Sequence, residues 1–257
     1  MKAGRDMESL SKMLHSIDGQ SYGAYRRIKG EYLSTKPSIR LSIEYVQGDP
    51  FASPSRISVF IPAQTTHLDS SLFASLLSRR TTADFCLRLF SDIVQGYSQR
   101  SGSGKSGQIF VDEPSQEILS RSAASLDSDG CLKLGFYIGL PARGRRILGF
   151  QAQKLLVQTL PRLIQAFVGT LDQSWADLKE HIRVQQLQHT LRSQLKPNGL
   201  VAFVRDGSVL VRQSGHSDLP LDREEAVPWR GPPAMQVRLK GLCGEDIIGT
   251  GIPKGVT

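Results

Sequence analysis

Cysteine is scarce in this chain and poorly placed for metal or disulfide chemistry. Cys86, Cys131 and Cys243 are odd in number and far apart, with no Cys-x-x-Cys pair and no Cys/His cluster. That argues against a structural zinc and against a disulfide framework. Cys86 and Cys131 sit in apolar patterns, as buried hydrophobes rather than nucleophiles. His15, His67, His181, His189 and His216 share no ligand spacing, so no metal site is expected. Long apolar runs are also missing. No stretch approaches the length that spans a bilayer, and Met1 to Met13 is charged, without the apolar centre of a signal peptide. The expectation is a soluble, cytoplasmic protein with no membrane partner.

Catalytic constellations are equally thin. Asp112–Glu113 and Glu224–Glu225 are adjacent, not the spaced acid and base of hydrolytic chemistry. Ser214-Gly215-His216-Ser217-Asp218 holds a serine, a histidine and an aspartate too close in sequence to form a triad. No catalytic residue is predicted.

What the chain does have is positive charge and enough length for a core. It has 257 residues, 39% of them hydrophobic, and 32 Lys and Arg against 24 Asp and Glu, a net charge of +8. Such a balance suits an anionic partner, without specifying a fold. The charge comes mostly from arginine spread over the whole length, and three arginines fall in Gly139-Leu140-Pro141-Ala142-Arg143-Gly144-Arg145-Arg146, between an alternating run (Cys131 to Ile138) and the longest helical pattern (Ile147 to Val168). A strand, a turn with arginines and a helix N-terminus can hold an anion; a solvated basic turn is the alternative. Arg26, Arg27 and Lys29 form a second basic group beside Tyr25.

Periodicity predicts helices over Asp6–Ile17, Tyr22–Ile28, Leu68–Leu77, Thr82–Tyr97, Ile147–Val168 and Trp175–Leu195, with Pro161 kinking or dividing the fifth. Strands are expected at Ile39–Tyr45 and Arg56–Ile61, paired as a hairpin, and at Gln108–Val111 and Leu132–Ile138. A turn or short helix is expected at Gln116–Ala123. After Pro197-Asn198-Gly199 the pattern becomes strand-rich, with a hairpin on Asp206–Gly207 joining Leu200–Val204 to Val209–Val211. Met235–Leu239 and Ile247–Ile252 follow. The fold class is α+β: a helix-rich N-terminal module with a small antiparallel sheet over 1–198, then a β-rich segment over 199–257.

Ser101-Gly102-Ser103-Gly104-Lys105-Ser106-Gly107 imitates a phosphate-binding P-loop, and Ile109 to Glu113 imitates a Walker B strand. The P-loop spacing puts its first glycine where Gln99 stands. The loop should also leave a strand and enter a helix, whereas here a helix comes before and a strand after. It is read as a flexible Gly/Ser turn.

Several segments together resemble the ATPases of the ABC class, a soluble, non-transporter family. They are Gln47-Gly48-Asp49-Pro50-Phe51-Ala52-Ser53-Pro54-Ser55, Ser101 to Gly107 with Gly104 and Lys105, and Gly139 to Arg146 with Gly139, Pro141 and Gly144. Leu200 to Val204 followed by Asp206-Gly207-Ser208, then Arg212-Gln213-Ser214-Gly215-His216-Ser217-Asp218-Leu219-Pro220, continue the match. Gly251-Ile252-Pro253-Lys254-Gly255-Val256-Thr257 ends it. Val211 departs from the family's proline before the arginine.

The resemblance implies an N-terminal region whose Walker A, Walker B and signature motifs lie past Thr257. Residues 199–257 would lead into the ABC nucleotide-binding core. ATP and Mg2+ are implied for the full-length family, with neither bound tightly by this chain alone and no ATPase activity expected of it. The rest of the core is an implied partner, and association with RNA is known for parts of the family. Two further readings stay open: a basic nucleic-acid-binding module using Arg143, Arg145, Arg146, Arg26, Arg27 and Lys29, and an interaction module that forms a homodimer, neither with nucleotide chemistry.

Overall fold

The computed structural model describes residues 4–217 and 219–255. It divides into two compact units, Met1–Leu178 and Lys179–Thr257. Asp218, Val256 and Thr257 lie outside the described residues.

The first unit is built on one sheet. In chain order its elements begin with β1 (Arg5–Asp6), α1 (Met7–Ser16), a 3-10 helix at Tyr22–Ile28, β2 (Gly30–Thr35), β3 (Ser38–Tyr45) and β4 (Ser55–Ile61). Next come α2 (Ala63–Thr66), a 3-10 turn at Ser70–Leu72, α3 (Leu76–Tyr97), β5 (Ile109–Phe110), β6 (Ala124–Leu126) and β7 (Leu132–Ile138). A small ribbon, β8 (Ala142–Arg143) with β9 (Arg146–Ile147), precedes α4 (Gly149–Gln153), a π-helical turn at Lys154–Thr159 and α5 (Leu160–Gln173). The sheet runs β1-β2-β3-β4-β7-β5, with β6 also on β7. All its pairs are antiparallel except β1 with β2.

Alternation decides which sheet face is buried. Leu41 on β3, Ile57, Val59 and Ile61 on β4, and Leu132, Leu134, Phe136 and Ile138 on β7 are fully buried. On α3, Phe90 meets Phe136 of the sheet (5.4 Å between centroids) and Phe167 of α5 edge-on (5.9 Å), which ties both helices to the strands. Truncating any of these rings should destabilise the unit by about 3–5 kcal/mol. The opposite face is polar. Glu44 accepts from Ser58 (2.6 Å) and Arg56 (2.8 Å), and Arg40 lies over the Phe60 ring (3.7 Å). At the N-terminus the Asp6 carboxylate caps α1 through the Ser9 amide (2.7 Å), and Leu10 and Leu14 bury the inner face.

The predicted helix at Leu68–Leu77 does not form. Asp69 takes the Ser71 amide (2.9 Å) and Ser75 takes that of Ser78 (3.0 Å), so local side-chain bonds break the run and α3 starts at Leu76 instead. The Gln116–Ala123 stretch is irregular. β2 escaped the sequence pattern because only Tyr32 is buried along it, while Leu33 faces solvent. Pro161 produces a π-helical widening, not a break. Its ring would crowd the carbonyl of Val157 in a regular helix, and Val157 lies inside the widened turn.

Helix α6 (Trp175–Leu195) runs as expected and closes at Asn198, whose side-chain amide donates to the Gln194 carbonyl (2.7 Å), and at Gly199, with φ 68°. In the second unit, β10 (Leu200–Arg205), β11 (Gln236–Lys240) and β12 (Asp246–Pro253) form an antiparallel sheet of order β10-β12-β11. The Gln194 side chain bonds both the Lys240 carbonyl (2.7 Å) and the Lys240 amide (2.8 Å), docking α6 on β11. The predicted hairpin on Asp206–Gly207 is absent. The Gly207 amide goes to Trp229 (2.9 Å), the Trp229 amide returns to Ser208 (2.8 Å), and the partner of β10 is the distant β12.

No helix among the described residues is long and apolar enough to cross a membrane.

Candidate functional site

Three motif segments that are far apart in sequence meet beyond the ends of β4, β5 and β7. Gly139-to-Arg146 leaves β7, Gln47-to-Phe51 leads into β4, and Ser101-to-Gly107 leads into β5. Their backbones interlock. The Ser103 amide donates to Ala142 (2.8 Å), Lys105 to Pro50 (3.2 Å), Gly107 to Gly139 (2.7 Å) and Gly139 to Gln108 (2.9 Å). Polar side chains, Gln47 and Ser106 buried and Ser103 half-buried, complete the knot. Gln47 accepts the Leu140 amide (3.2 Å), the Ser106 hydroxyl accepts that of Ala142 (3.1 Å), and Ser103 accepts that of Gly144 (2.8 Å).

Two glycines are required by close approach. A Cβ on Gly139 would lie 1.8 Å from the Lys105 carbonyl oxygen, and one on Gly104 would lie 2.3 Å from that of Pro50. Gly144 has φ 57° and turns the β8–β9 ribbon.

The sequence expectation of a flexible turn at 101–107 is therefore corrected: the loop is pinned. The same bonds bear on phosphate. The amides of Ser101, Ser103, Lys105, Ser106 and Gly107 all donate to carbonyls of the chain, leaving Gly102 and Gly104 without such a bond. A P-loop needs those amides pointing at the ligand, so this loop does not fit ATP.

The strand–turn–helix anion geometry is also corrected. Between β7 and α4 the chain folds into the ribbon, and the first helical amide, Gly149, donates to the Asp18 carboxylate (2.6 Å). An acid of the chain itself occupies that helix start.

The 3-10 helix at Tyr22–Ile28 locks onto this knot. Tyr22 donates to the Leu140 carbonyl (3.2 Å), Tyr25 to that of Pro141 (2.7 Å), and the Tyr22 amide to that of Arg145 (2.9 Å). Burial pushes both tyrosine ionisations upward, so both hydroxyls remain donors. Both rings point inward, leaving Arg26, Arg27 and Lys29 exposed.

The six candidate cations lie on the ribbon and on the 3-10 helix bonded to it, and they are not equivalent. Arg145 donates to Asp49 (2.8 Å) and Arg146 to the Gly19 carbonyl (3.0 Å), so both help to hold the ribbon. The Phe51 amide first, and then Arg145, hold the Asp49 carboxyl below its ordinary value. Among the described residues Arg143, Arg26, Arg27 and Lys29 have no ionic side-chain partner, nor does half-buried Lys105. Asp18 lay outside the motifs, while Gln47, Ser103 and Ser106 lay within them; a motif says nothing of the carbonyls and amides that its residues meet.

The other motif residues lie in the second unit. Gly207 sits at φ 80° and Gly255 at φ 85°. Arg212 bridges to Pro220, and the Ser214 carbonyl, beside Gly215, accepts the Ser217 amide (3.3 Å). Pro253 pairs with Leu200, and a Cβ on Gly251 would press on Leu200 and Val237 at 2.9 Å. No group of acids, histidines and cysteines able to hold a metal ion occurs among the described residues.

Comparison with protein families gives two matches that follow one another along the chain. Residues 7–170, which include the whole knot, match the family described as ATPase of the ABC class, N-terminal. The chain belongs to this family. Residues 174–257 match the P-loop domain of the ABC-class ATPases, so the chain carries a P-loop-domain match as well. No curated protein matches the chain.

Proposed function

We propose that the first unit is the RNA-contacting module of a soluble, cytoplasmic ABC-class ATP-binding protein whose nucleotide chemistry belongs to its P-loop domain. The observation that carries this reading is the set of unpaired cations gathered around a rigid knot. Arg143 sits on the ribbon, Lys105 on the pinned loop, and Arg26, Arg27 and Lys29 on the 3-10 helix. Cations that lack a carboxylate and stand on a fixed scaffold suit phosphate oxygens, because little side-chain or backbone order has to be created on binding. Arg145 and Arg146 support the ribbon and contribute field rather than contact. ATP with Mg2+ belongs to the core. The 101–107 loop, with its amides engaged, takes no part in holding it.

The test is anisotropy of a labelled single-stranded oligouridine titrated with the 257-residue chain. Arg143→Gln, exposed and unpaired, should weaken binding severalfold while leaving the unfolding midpoint unchanged. Equal affinity in both proteins would overturn the assignment. Absence of binding, together with a concentration-dependent dimer by light scattering, would favour the dimerisation reading instead.

A further inference from the structure

A cleft of about 520 Å3 opens in the first unit on the knot's flank, between the end of α3, Gln99, Ser101 and Gly107 of the pinned loop, Pro141, and the long helix from α4 to α5. That volume falls in the range of sites for small ligands. Its polar lining includes Tyr97, Gln99, Gln151, Lys154, Thr159 and Arg162. Among the described residues none of these side chains has a hydrogen-bond or ionic partner. No carboxylate lines the cleft. Lys154 and Arg162 both line the cleft, and an anion would supply the counter-charge its wall lacks.

The helix geometry explains how they come together. At about 100° per residue, positions 154 and 159 of a regular helix fall on nearly opposite sides. The π-helical turn over Lys154–Thr159 bonds i to i+5 and stacks those two positions. Lys154, Thr159 and Arg162 therefore share the wall of the cleft. Pro161, buried at the start of α5, holds the widening in place.

We propose that this cleft binds a phosphate-bearing ligand of nucleotide size, its phosphate between Lys154 and Arg162 and its ring against Tyr97. The site is distinct from the Arg143 surface and does not depend on that surface binding RNA. A free mononucleotide and a nucleotide within a strand offer the same chemistry, and titration separates them.

The full chain is titrated calorimetrically with uridine monophosphate, adenosine monophosphate, uridine, inorganic phosphate and a short oligouridine. A mononucleotide is expected to bind at one site, uridine at least tenfold more weakly. Lys154→Gln and Arg162→Gln, both at exposed positions, should each weaken the mononucleotide roughly tenfold, the scale of a lost charged hydrogen bond. Arg143→Gln should leave it unchanged, and Tyr97→Leu should weaken mononucleotides but not inorganic phosphate. Oligouridine binding that depends on Lys154 and Arg162, without mononucleotide binding, would assign the phosphate to a strand and uphold the site. Mononucleotide and oligouridine affinities that ignore both substitutions would overturn it.

Discussion

Replacing Tyr25 with phenylalanine removes one oxygen from the centre of the knot and nothing else. The ring is fully buried, and its hydroxyl donates to the Pro141 carbonyl at 2.7 Å. Leaving a buried carbonyl with no donor would cost up to about 3 kcal/mol. Here the Pro141 oxygen also accepts the Leu148 amide at 3.1 Å, so it keeps one partner. The expected loss is therefore that of a single good hydrogen bond, about 1–1.5 kcal/mol. For a unit of this size that corresponds to about 2–6 °C in Tm. Tyr22→Phe should cost less, about 0.5–1 kcal/mol, because its bond to Leu140 is longer at 3.2 Å. Urea titrations of both variants and of the double variant give the comparison, and the slope with urea should not change. The rings of Tyr22 and Tyr25 meet edge-on at 5.1 Å, so some coupling between the two substitutions is expected. A Tyr25→Phe protein within about 0.3 kcal/mol of the parent, or a larger loss from Tyr22→Phe, would refute the argument that these hydroxyls hold the ribbon.

Gly139→Ala should be the more damaging change, about 3 kcal/mol or more, because its Cβ meets the Lys105 backbone at 1.8 Å. Gly144→Ala, with open space around it but φ 57°, should cost only about 1–2 kcal/mol, and the order of the two urea midpoints checks this. Acid should loosen the knot. The folded carboxyl of Asp49 is held below its ordinary value by the Phe51 amide and Arg145, and that of Asp6 by Ser9. Their contribution is complete above the unfolded value near 3.8 and is lost as pH falls through the lower folded values. Stability measured against pH should fall below about pH 4, less steeply in Asp49→Asn. Cys86, fully buried, has its thiol pushed up to about 12 by burial, whereas Cys243 is exposed. A thiol reagent at pH near 8 should modify Cys243 and leave Cys86 untouched until the protein unfolds, as peptide mapping would show.

Much of the scaffold was legible because periodicity reports burial. β3, β4 and β7 alternate apolar and polar residues against a one-sided core, and α6 was bounded correctly by its pattern and by Pro197-Asn198-Gly199. The misses are places where long-range pairing overrides the local signal. The Asp206–Gly207 turn has good hairpin chemistry, yet β10 finds its partner in β12. The Ser101-to-Gly107 loop looks mobile from composition, yet its Gly104 is there because the Pro50 backbone crosses 2.3 Å from the would-be Cβ, as the loop's Lys105 crosses 1.8 Å from that of Gly139. For the candidate arginines, residue type and spacing carry no signal of a division of labour. Which arginine meets Asp49, which meets Gly19 and which remains open is a tertiary fact.

The cations left open around the knot are the core of the functional account, and ionic strength probes them directly. Affinity of the chain for single-stranded oligouridine, plotted as log K against log salt concentration, has a slope that counts phosphate contacts at about 0.7 each. Arg143→Gln should make that slope shallower by about 0.7, and Arg143→Gln combined with Arg26→Gln by about 1.4. Slopes identical to the parent in both variants would contradict the assignment of this surface to RNA phosphate.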